Sequence, residues 1–92
     1  MKKSCTGELL SGHKGFALEV AFDPAEAWNI QPQALWRGRR GFPVKARIKG
    51  HAFESSIVPR QRKFYLLIDR DVVASTGLVV GAKLRATIEP AS

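Results

Sequence analysis

Apolar and polar residues alternate with period two along much of the chain, the pattern of strands that bury one face. Phe16, Leu18, Val20 and Phe22 share a face, with Glu19 on the other. Val44, Ala46 and Ile48 alternate with Lys45, Arg47 and Lys49, and Leu84, Ala86 and Ile88 alternate with Lys83, Arg85 and Thr87. Phe64 to Ile68 is apolar throughout and predicts a central strand covered on both faces. Phe53 to Val58 predicts another strand, closed by Pro59. Two short helices interrupt these strands. Asp23-Pro24 supplies an N-cap and a proline at the first helical position, opening Ala25 to Trp28. Pro32 ends or restarts that helix. Asp69 caps a second helix through Val72, Val73 and Ala74, which Gly77 ends. Residues 1–14 show no clear period and read as an N-terminal arm or weak edge strand. Residues 15–90 read as one β-barrel domain.

A short repeat underlies this order. Phe22-Asp23-Pro24 and Ile68-Asp69-Arg70 each end an apolar strand, supply a capping Asp and open a helix. Each helix leads, after a glycine, into an alternating basic strand. Two such β-helix-β units predict a pseudo-symmetric, mainly β fold: a small, partly split barrel capped by two short helices.

The chain has 92 residues, 45% hydrophobic and 25% charged, the balance of a single globular domain with room for one core and a shallow surface site. Its one cysteine, Cys5, cannot form an internal disulfide and reads as a thiol in a frayed segment. The Met-Lys-Lys start lacks the apolar run of a signal peptide, because Ser11, His13 and Lys14 follow Leu10. No stretch approaches the ~18 apolar residues of a membrane span. The expectation is a cytoplasmic protein with no membrane partner.

Charge changes the picture more than composition does. The net charge is +7, and the excess lies in the middle third. Residues 37–63 carry Arg37, Arg39, Arg40, Lys45, Arg47, Lys49, Arg60, Arg62 and Lys63 against Glu54 alone. Arg37, Arg39, Arg40, Arg60, Arg62 and Lys63 fall on two loops, and Lys45, Arg47, Lys49, Lys83 and Arg85 on exposed strand faces. If the two alternating strands are neighbours, their outer faces form a cationic sheet. Clustered Arg and Lys bind phosphates by releasing counterions, so nucleic acid or another polyanion is the partner this set fits. Trp36 and Tyr65 would stack on bases if exposed.

Other chemistry finds little support. His13 and His51 with one remote cysteine give no metal-ligand spacing. His51, Glu54, Ser55 and Ser56 are close in sequence, but neighbouring strand residues point to opposite faces and do not converge as a nucleophile, base and acid. The carboxylates of Asp23, Glu26, Asp69 and Asp71 are accounted for by capping and the helix dipole. No glycine pattern matches a dinucleotide or phosphate loop. The chain therefore reads as a non-enzymatic binding module without cofactor or metal. Two further readings stand beside polyanion binding. One is a small-molecule or peptide binder with Trp28, Trp36 and Tyr65 around a pocket at the barrel mouth. The other is a self-assembly module.

Ile48-Lys49-Gly50-His51-Ala52-Phe53-Glu54-Ser55-Ser56-Ile57-Val58-Pro59 resembles a signature, NG-x-x-F-x-x-S-L-x-P, of the bacterial domain-of-unknown-function family numbered nineteen-oh-five. Phe64 to Ile68, Gly77-Leu78, Gly81 and Leu84 to Ile88 follow in that family's order, and Phe16 to Trp28 resembles its opening strand and helix. The resemblance covers roughly residues 15–89. It implies a double-split β-barrel similar to those of AbrB, MazE and MraZ proteins, which are DNA-binding regulators or antitoxins. Such barrels arise by intertwining two chains, whereas the internal repeat here would let one chain close the barrel. The family itself brings no activity to carry over. The chain departs from its pattern at Lys49, where Asn is usual, at Ala82, where Asp is usual, and in the glycine-free turn Arg60-Gln61-Arg62-Lys63.

Overall fold

A computed structural model describes residues 2–12, 15–35 and 40–91. Among these residues, eight strands and two helices follow in the order β1 (Lys3–Glu8), β2 (Leu10–Gly12), β3 (Gly15–Val20), α1 (Pro24–Trp28), β4 (Gln33–Ala34), β5 (Arg40–Ile48), β6 (His51–Arg60), β7 (Lys63–Ile68), α2 (Arg70–Thr76) and β8 (Lys83–Pro90). The strands pair antiparallel in the order β1-β8-β5-β6-β7-β3-β2, with β4 added beside β5. The sheet curls into a nearly closed barrel within one chain, with two short helices.

Closure depends on one bent segment. β1 pairs with β8, and after Leu9 the chain continues as β2 and pairs with β3. Leu9 is the corner: its side chain is fully buried, its N–H donates to the Ala82 carbonyl at 3.0 Å, and its carbonyl accepts from the Gly81 N–H at 2.9 Å. Gly7 lets β1 approach β3, since a Cβ there would lie 3.0 Å from Leu18 Cδ1.

The loose-arm alternative for residues 1–14 is thus corrected. β1 keeps six register pairs with β8, and Cys5 is a core residue rather than a thiol in a frayed segment. Strand pairing, not apolar periodicity, holds this segment, because Cys5 and Leu9 are the only buried ones among its described residues.

The repeat extends further than one β-helix-β unit. A two-fold rotation that exchanges β1 with β6, β3 with β7 and β5 with β8 leaves every neighbour in the barrel in place. β3 pairs with β7, centred on Leu18 and Leu66, and β5 pairs with β8, centred on Ala46 and Ile88. Inward side chains from both units fill the core, among them Leu18, Val44, Ile48, Ile57, Leu66, Ile68 and Ile88. Because Val20 pairs with Phe64 and Phe16 with Ile68, α1 and α2 leave from opposite ends of the β3-β7 pair.

At one end, Asp23 Oδ1 accepts from the Ala25 N–H at 2.9 Å. Trp28 is buried edge-on to Phe22, with ring centroids 5.2 Å apart. At the other end, α2 buries Val72 and stops at Gly77, whose φ of 70° and N–H bond to the Val73 carbonyl form the expected left-handed C-cap. The Asp69 side chain makes no cap bond. Its backbone carbonyl accepts from Val72 and Val73 instead.

Since the helices sit at the ends, the barrel wall stays open to solvent. Leu66 and Ile68 of β7 are buried, whereas Tyr65 and Leu67 are only half-buried. The expected two-sided cover of this strand is therefore one-sided.

Gly41 of β5 pairs with Gln33 of β4 and lies close to β6. A Cβ there would come within 2.7 Å of both the Ile57 carbonyl oxygen and Leu35 Cδ1. Gly41→Ala is expected to cost about 1–3 kcal/mol through overpacking, read as a lower urea midpoint at unchanged slope. An unchanged midpoint would show that β4 and β6 give way freely.

Candidate anion-binding surface

The two alternating basic strands are neighbours. β5 and β8 pair with Lys45 opposite Glu89 and Arg47 opposite Thr87. Inward Val44, Ala46 and Ile48 are buried, so alternation places Lys45 and Arg47 on the outer wall. On β8, buried Leu84, Ala86 and Ile88 turn Lys83 and Arg85 outward in the same way. On its other side β8 sets Arg85 beside Thr6 and Lys83 beside Glu8 of β1.

These side chains do not form one uniform patch. Arg47, Lys49, Lys83 and Arg85 line a shallow depression with Gly50, Leu84 and Thr87, and among the described residues no carboxylate lines it. Lys45 belongs to the adjoining depression, which Arg47 also borders and where Glu54 on β6 and Glu89 on β8 flank Lys45 in register. Among the described residues only Lys63 and Glu19 reach ion-pair distance, at 3.6 Å. Arg47, Lys49 and Arg85 therefore have no carboxylate in cross-strand register, whereas Lys83 stands opposite Glu8 of β1, and the four cover a run of about 13 Å along the strands. Side chains two apart on one strand stand about 7 Å from each other on the same face.

Lys49 is held by a tight turn. It has φ 51° and Gly50 has φ 80°, the two positive angles of a two-residue hairpin between β5 and β6. Lysine is a poor occupant of that conformation, and asparagine a good one. Lys49→Asn is expected to raise stability by roughly 0.5–1 kcal/mol, measured by urea unfolding, while removing one cation from the depression. A loss of stability would show that the lysine stem packs on the barrel wall.

The loop cations gather elsewhere. Gln61 and Arg62, with φ 51° and 67°, form the turn between β6 and β7. Arg60, Arg62 and Lys63 surround it, and Arg40 starts β5 beside the end of β6, because Phe42 pairs with Ile57. The ten residues of β6 put this group about 30 Å from Lys49. Arg37, Arg39 and Trp36 lie outside the described residues.

The pocket expected between Trp28, Trp36 and Tyr65 is not formed by the two that are described. Trp28 is 4% exposed inside the barrel end. Tyr65 follows the alternation set by buried Leu66 and sits outside the wall, between Glu19 and Val58. His51 is exposed with its ring stacked on Phe53, centroids 6.5 Å apart. Ser55 donates to the Leu67 carbonyl, a structural bond between β6 and β7. No group of three metal-ligating side chains occurs among the described residues. No described helix is long and apolar enough to cross a membrane.

Sequence reasoning missed the carboxylates that flank Lys45 and the hydroxyl of Thr87 beside Arg47. Both follow from cross-strand register, which no local pattern reveals. No curated protein matches the chain. The family described as a domain of unknown function, DUF1905, matches residues 6–88, from within β1 through both units to within β8. Since that match takes in most of the chain and both halves of the barrel, the chain belongs to the DUF1905 family.

Proposed function

We propose that this protein is a non-enzymatic module that binds the phosphate backbone of nucleic acid through the outer face of β5 and β8, acting in the cytoplasm. One observation carries the reading: Arg47, Lys49, Lys83 and Arg85 converge on a depression that, among the described residues, no carboxylate lines. Water already solvates four separate surface cations well. Four held together repel one another, and a polyanion relieves that repulsion while releasing its counterions. The depression has no aromatic lining, so binding is electrostatic and independent of base sequence.

Four phosphate contacts predict that log affinity falls with log salt at a slope of about −3.6 on duplex and about −2.8 on single strands. Fluorescence-anisotropy titration with mixed-sequence DNA and RNA, at low and near-physiological salt, measures that slope. Heparin and polyphosphate serve as competitors. A slope shallower than about −1, or binding confined to the lowest salt, would reduce the patch to a solvated surface.

A further inference from the structure

We infer that the protein carries two separate polyanion sites, one at each end of the barrel, and bridges two nucleic-acid segments. This rests on the reading above and adds a second site and a consequence.

The first site is the depression of Arg47, Lys49, Lys83 and Arg85. The second is the far turn, where Arg40, Arg60, Arg62 and Lys63 surround the β6-β7 hairpin tip. Glu19 neutralises Lys63 in part, and no carboxylate reaches ion-pair distance of the three arginines among the described residues. Arg62 occupies a left-handed conformation that glycine or asparagine would hold at less cost. A strained residue kept at an exposed cationic tip points to a role for its side chain.

Two features keep the sites apart. The molecule is 33 Å long, and β6 alone spans about 30 Å between the two turns. Between them, Glu54 and Glu89 flank Lys45, so a strand crossing from one site to the other would pass two carboxylates. The favoured arrangement is one strand on each end, not one strand along the length.

A capture assay tests this. A short mixed-sequence DNA duplex is fixed to beads, and a second, fluorescent duplex is supplied free with the protein. Wild type should retain the fluorescent duplex, with retention rising and then falling as excess protein caps each duplex singly. In Arg60→Gln/Arg62→Gly, bridging should fall about tenfold while anisotropy still shows tight binding at half the stoichiometry. Glycine suits the Arg62 backbone, so this variant keeps its turn. Arg47→Gln/Arg85→Gln should also lose bridging while retaining the weaker site. Wild type that binds the fixed duplex without retaining the free one would overturn the inference and leave the binding function standing. Full bridging by Arg60→Gln/Arg62→Gly would overturn it as well, by showing that self-association joins the duplexes. No binding to either duplex would overturn both readings.

Discussion

Leu9→Ala is expected to lower the unfolding free energy by about 2–5 kcal/mol, the cost of a large cavity where the surroundings cannot collapse. For a domain of this size, with total stability of about 5–14 kcal/mol, that is a large share of the whole. Leu9 is fully buried between β1 and β2, and both its backbone groups are tied to the turn before β8. The neighbouring strands cannot move in to fill the space without breaking those bonds. Urea unfolding followed by tryptophan fluorescence reads the loss, because Trp28 is buried in the native state. Leu10 is the control: it is adjacent, of equal size and 39% exposed, so Leu10→Ala should cost under about 1 kcal/mol. Equal losses at the two positions would mean that the corner is not where the barrel is locked.

The second large effect concerns binding. Replacing Arg47, Lys49, Lys83 and Arg85 together by neutral side chains (R47Q, K49N, K83Q, R85Q) is expected to weaken that site roughly a thousandfold near physiological salt. What remains is the weaker phase from the far turn. Lys45→Gln should change affinity less than about twofold, because Glu54 and Glu89 already offset that charge. Lys45 and Arg47 are two residues apart on one strand and look equivalent in the sequence. Anisotropy titrations that found them equally important would sink the placement of the site on the β8 side of the wall.

That pair shows what could and could not be read from the chain. Alternation at Val44–Lys49 and Leu84–Ile88 fixed which side chains face outward, and the structure agrees. It could not say that these strands lie side by side in antiparallel register, which requires contacts more than thirty residues apart. β1 stood only as a weak edge strand beside the alternative of a loose arm, for a different reason. Its inward positions, Cys5 and Gly7, are small, Gly7 where β3 passes close by, and small residues carry no hydrophobic period. Tyr65 misled as a pocket residue because an all-apolar run hides which of its members face in. Asp69 resembled Asp23 in sequence, yet only Asp23 turns its carboxylate onto the helix.

The closing strand has one more consequence. Lys3 of β1 and Ile88 of β8 are register partners, so the first and last strands lie against each other and the barrel is cyclic in space. Chain order is then one of several equivalent ways to thread the same ring. A circular permutant that links β8 to β1 and opens at the exposed Lys49-Gly50 turn would swap the two halves in sequence while keeping every strand beside its present neighbours.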